Sequence, residues 1–112
     1  MKPSSCKAKG RNGQKEVVAL LRKQFTLWHE DDIKWCSMGA QGEDIRLSPL
    51  ARAEFPFSIE VKRLKAIAAL KFLEQAKANA NDHTPLVFMK ADRGKWVVML
   101  EAEEFLRLYN DN

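Results

Sequence analysis

The run FPFSIEVKR, residues 55–63, constrains the fold of this chain more than any other stretch. In an extended strand successive side chains point to opposite faces, so Phe57, Ile59 and Val61 fall on one side and Ser58, Glu60 and Lys62 on the other. The first face is core. The second carries a carboxylate and an ammonium two residues apart, and the apolar neighbours place the segment near the middle of a sheet. With 112 residues there is room for one real hydrophobic core and not for two.

The other elements follow from periodicity. From Gln14 to Gln24 the apolar positions Val17, Val18, Leu20 and Leu21, continued by Phe25, make one helical stripe opposite Lys15, Arg22 and Lys23. Glu16 falls in the first turn of that helix, where the dipole favours a negative charge. Ile33 and Trp35 alternate with polar neighbours in DDIKWCSM, and DIRLS, closed by Ser48-Pro49, is a second strand. The connection PLARAE to the third strand, 55–63, is short enough for a hairpin. Residues 66–79 return to helical spacing and end in NANDHTP. Residues 86–91 and 95–100 flank Asp92-Arg93-Gly94 as a hairpin, and EEFLRLY makes a last helix with Phe105, Leu106 and Tyr109 inward.

The expected order is α β β β α β β α: an α/β fold with a central mixed five-stranded sheet flanked by helices. Residues 1–9, rich in Lys and Ser, read as a flexible basic arm whose end Gly10 and Gly13 punctuate, and 10–112 as a single domain.

Charge is segregated along the chain. Residues 1–25 hold seven Lys and Arg against Glu16 alone, and residues 62–95 hold eight against three acids, while the remainder is acidic. Two basic blocks around an acidic middle suit a polyanion cradled about a carboxylate-lined centre, and equally suit a solvated charged surface. No apolar run reaches the length of a membrane span, and the basic start has no apolar segment behind it. The expectation is a cytoplasmic protein without a membrane partner, its small size suiting a phage gene. Cys6 and Cys36, with only His29 and His83 as further soft ligands, have no zinc spacing and read as reduced thiols.

Asp44 opens the second strand directly after GAQG, and Glu60 and Lys62 stand on the third. Pairing of those strands brings Asp44 and Glu60 side by side. Two nearby carboxylates repel, and a hard divalent cation bound through oxygen is the usual compensation; magnesium fits best. Lys62 is then placed to contact a phosphate oxygen or orient an attacking water. This suits phosphodiester hydrolysis, with the basic blocks holding a nucleic-acid backbone. The competing explanation is an exposed Glu60–Lys62 ion pair with Asp44 as a turn residue.

GEDI followed by FSIEVKR resembles the PD-(D/E)xK nuclease motif, and the layout over about residues 10–100 resembles the Holliday junction resolvases of archaea and some phages. The resemblance implies a restriction-endonuclease-like core and an endodeoxyribonuclease that uses Mg2+, with Mn2+ substituting. It would act as a homodimer that nicks opposed strands of a four-way DNA junction. By position it implies a site of Glu16, Ser37, Asp44, Glu60, Lys62 and Gln75, the metal held by Asp44 and Glu60 with Glu16. Glu43 departs from the motif, which usually has proline there. Lys9, Arg11, Lys15, Arg63 and Lys65 are candidates for phosphate contacts. Trp28, Trp35 and Trp96 have either bases to stack on or a core or interface to fill. Other nuclease substrates, flaps or duplex, and a non-catalytic DNA-binding module remain alternatives.

Overall fold

The computed structural model describes residues 3–36 and 43–110. By contact the chain falls into two compact units, Met1–Leu64 and Lys65–Asn112, and the boundary lies inside the span 10–112 expected as one domain.

The first unit opens with helix α1, Pro3–Gln24. The helix therefore begins within the segment 1–9 expected as an arm, and both Gly10 and Gly13 lie inside it. Arg22 and Lys23 close its last turn, where cations complement the dipole. Its apolar stripe buries Val18 and Leu21, and the stripe continues past the helix end into Phe25 and Trp28. Phe25 stacks on Trp28 with ring centroids 4.3 Å apart and meets Phe55 at 5.7 Å. Trp28 satisfies its indole by donating Nε1–H to Glu54 Oε2 at 2.9 Å.

After a short 3-10 turn at Glu30–Asp32, strand β1 (Ile33–Trp35) pairs antiparallel with β2 (Ile45–Leu47), Ile33 opposite Leu47 and Trp35 opposite Ile45. Ile33 and Ile45 are fully buried, so this two-stranded sheet anchors the core. The PLARAE connection is helix α2, Pro49–Glu54, and not a hairpin loop. Ser48 caps it by accepting from the Ala51 N–H at 3.1 Å, and Pro49 stands in the first turn, where its missing N–H costs nothing.

The expected third strand does not form. Residues 56–64 carry no strand, and the central five-stranded sheet, with the restriction-endonuclease-like core built on it, is absent: the described residues hold two separate two-stranded antiparallel sheets and four α-helices. The local reason is that side chains take the backbone groups a ladder would use. The Arg52 guanidinium donates to the Phe57 carbonyl, and the Asp44 carboxylate accepts the Val61 N–H. Phe57 N–H turns back to the Phe55 carbonyl at 2.8 Å, and Pro56 supplies no donor at all. The alternation survives only in part: Ile59 and Val61 are half-buried and Ser58, Glu60 and Lys62 exposed, but Phe57, expected on the core face, is exposed at 38%.

In the second unit α3 runs Leu70–Asn79, shorter at its start than the periodicity suggests, and buries Leu73. Asn81, with φ 54°, follows it in the left-handed conformation common after helix ends. Strands β3 (Val87–Met89) and β4 (Val97–Met99) form the expected hairpin, closed by Gly94 N–H to the Ala91 carbonyl at 2.9 Å. Helix α4, Ala102–Asn110, begins with Glu103 and Glu104 in its first turn and buries Leu106. No helix among the described residues is long and apolar enough to cross a membrane.

Candidate functional site

Three pieces of the first unit meet around the E-x-K segment. Just ahead of β2, Asp44 donates its backbone N–H to the Ile59 carbonyl at 3.1 Å and receives the Val61 N–H on Oδ2 at 2.7 Å. The two bonds bracket Glu60 in the pattern of a parallel pair, with the carboxylate standing where a backbone carbonyl would accept. Asp44's own carbonyl is occupied by the Cys36 N–H at 3.0 Å. A helical connection such as α2 permits this parallel approach, which a tight hairpin would not.

Helix α1 approaches from another side. Gly13 is buried, and a Cβ built there would lie 3.1 Å from Arg63 Cβ and 3.4 Å from Val61 Cγ1, so the absent side chain lets segment 61–63 lie close against the helix. One turn further, Glu16 Oε1 meets Arg63 Nε at 3.5 Å. Because α1 starts at Pro3, Glu16 is mid-helix, and the expectation that it sits in a first turn is corrected. Its partner is a cation on the E-x-K segment, not the helix dipole.

Glu60 and Lys62 lie on one side of the segment, Nζ to Oε1 at 3.5 Å, with side chains 75% and 70% exposed. An ion pair so open to water contributes little to stability. Glu43, at the motif's proline position, is bound to Arg52 at 2.7 Å and leaves Oε2 buried without a partner. Arg52 thus ties Glu43 to the Phe57 carbonyl, holding the start of the E-x-K segment against α2. The sequence signal for this clamp was an acid and an arginine nine residues apart, which by itself singles out nothing.

The remaining expected residues scatter. Ser37 lies outside the described residues. Gln75 is exposed on α3 of the second unit, and Lys65 is exposed at the start of that unit. Arg11 and Lys15 are exposed on α1, and Lys9 belongs to the same helix. Trp28 is core, whereas Trp35 and Trp96 are exposed.

Asp44 and Glu60 offer only oxygen donors, and Asp44 Oδ1 has no hydrogen-bond partner among the described residues. Two carboxylates completed by water suit magnesium, which keeps several of its waters. Glu16 is turned to Arg63, and no cluster of three His, Cys, Asp or Glu side chains able to hold a metal occurs among the described residues. The expected metal set is thus divided among separate partners: Asp44 holds the Val61 N–H, Glu60 pairs with Lys62 and Glu16 with Arg63. Comparisons of the chain with family models, with curated proteins and with solved structures return no match.

Proposed function

We propose that the protein is a metal-dependent, structure-selective DNA endonuclease, a Holliday junction resolvase that hydrolyses phosphodiester bonds in opposed strands of a four-way junction as a homodimer. The observation that carries this reading is the docking of the Asp44 carboxylate on the backbone of the E-x-K segment. Asp44 and Glu60 would hold Mg2+, or Mn2+ in its place, and the ion would lower the pKa of a bound water and offset charge on the phosphate. Lys62, exposed beside Glu60, is free to leave that weak pair and meet a phosphate oxygen. A two-fold dimer suits a junction that is itself approximately two-fold.

The test is incubation with labelled four-way junction, flap and linear duplex, with and without Mg2+. Paired nicks in the junction alone are expected; preferential cutting of flap or duplex would keep the nuclease and remove the resolvase. Asp44→Asn keeps an oxygen for the Val61 N–H and loses the charge, so cleavage should vanish while the fold and DNA binding persist.

A second reading is favoured by the same bond. If Asp44 serves only to hold Val61, the protein is a DNA-binding module without catalysis. Asp44→Asn would then behave as wild type and only Asp44→Ala would lose stability, with no substrate cut by any variant.

A further inference from the structure

On the first unit, Lys15, Arg22, Lys23 and Trp35 line a groove of about 830 Å³ floored by Val18 of α1, to which no residue of the E-x-K segment contributes. Trp35 is 39% exposed, and Lys15 Nζ stands 5.1 Å from the centre of its ring. Arg22 Nη2 donates to the carbonyls of Glu30 and Ile33 at 3.3 and 3.2 Å, which fixes the guanidinium without neutralising it. Lys23 has no acidic partner among the described residues. Lys34 is paired with Asp31 at 3.2 Å, so the groove's surplus is the charge of Lys15, Arg22 and Lys23 against the single carboxylate of Glu30. An accessible indole in a groove with surplus positive charge complements a ligand that is flat, aromatic and anionic at once.

We propose that this groove seats an unpaired base of single-stranded DNA on Trp35, with the flanking phosphates on Lys15, Lys23 and Arg22. Stacking on an indole is open to any base with a free face, and duplex bases have none. Lys15 leaves the ring for a phosphate as the base arrives. The seat deepens the nuclease reading and rests on it for the source of the unpaired base, a branch point opened by the bound protein.

The full chain is titrated against fluorescein-labelled oligo-dT and against a duplex of equal length, by anisotropy at several salt concentrations. Trp35→Ala should weaken oligo-dT binding about five- to 150-fold, the loss of one stacked base, and leave duplex affinity unchanged. Trp35→Phe should retain most of the affinity. Lys23→Ala should reduce the salt slope for oligo-dT by about 0.7, and it keeps the test decisive if the alanine variant at Trp35 fails to fold. No binding of oligo-dT, equal losses for both DNAs, or a slope that ignores Lys23 would overturn the seat. Trp35-dependent binding by a protein that cuts no junction leaves the seat standing and removes the nuclease. Mg2+-dependent cutting by a protein whose oligo-dT affinity ignores both residues does the reverse.

Discussion

Asp32 accepts the Ser48 hydroxyl on Oδ1 and the His29 backbone N–H on Oδ2, each at 2.7 Å, while the Ser48 Oγ accepts the Ala51 N–H. A proton on Asp32 would disturb both bonds. The Ser48 hydroxyl first, and the His29 N–H second, hold the carboxyl below its ordinary range. A depressed carboxyl contributes stability that is full above its unfolded pKa and is lost as the pH falls through the folded one. The loss therefore falls below about pH 4. Thermal melts across that range should show a flatter acid limb for Asp32→Asn than for wild type. Ser48→Ala removes the cap of α2 as well, and a destabilisation of about 0.5–2 kcal/mol is expected in urea titrations at neutral pH. Ser48 reads in the sequence as part of a strand-closing turn with Pro49, whereas Asp32 is only a polar neighbour of the first strand. That they serve each other could be seen only once β1 and β2 were paired, because sixteen residues separate them.

Helix α1 and Asp44 flank the E-x-K segment, and Arg52 of α2 holds its start at Phe57. Gly13 is where α1 meets segment 61–63, yet in sequence it marks the end of an arm, because a glycine inside a helix costs about 1 kcal/mol relative to alanine. Its use is the room it leaves for Arg63 and Val61. Gly13→Leu should destabilise the chain by about 1–3 kcal/mol through overpacking, and should reduce any junction cleavage by displacing Lys62 along with Arg63; melting curves and cleavage assays on one preparation check both. Phe55 reports on the opposite flank. It is buried between Phe25 and Phe57, with centroids at 5.7 and 4.6 Å, and Phe55→Ala should cost about 3–5 kcal/mol in urea titrations. Helix α2 was missed because PLARAE is only six residues, too short for helical periodicity to show.

Over the whole molecule the net charge is +4, and the basic residues concentrate in residues 1–25 and 62–95. If these blocks meet DNA, affinity should fall linearly on a logarithmic salt scale; a protein neutralising six phosphates loses about a thousandfold between 50 and 200 mM. Filter binding at graded salt checks this, and salt-independent affinity would remove nucleic acid as the partner. The same scale shows why the expected sheet failed. Period-two alternation separates Ile59 and Val61 from Ser58, Glu60 and Lys62, fails at the exposed Phe57, and says nothing about which backbone groups find a strand beside them. Here Asp44 and Arg52 occupy two of those groups.

The order of residues alone determined the helical stripe of α1, the Asp92-Arg93-Gly94 hairpin and the alternation around Glu60, because each depends on neighbours within a few positions. Tertiary structure decided that Asp44 would hold Val61, that Glu16 would face Arg63 and that the strands would pair two by two. Those outcomes turn on hydrogen-bonding groups and charges distant in sequence competing for one another, and local spacing carries no record of which competitor wins.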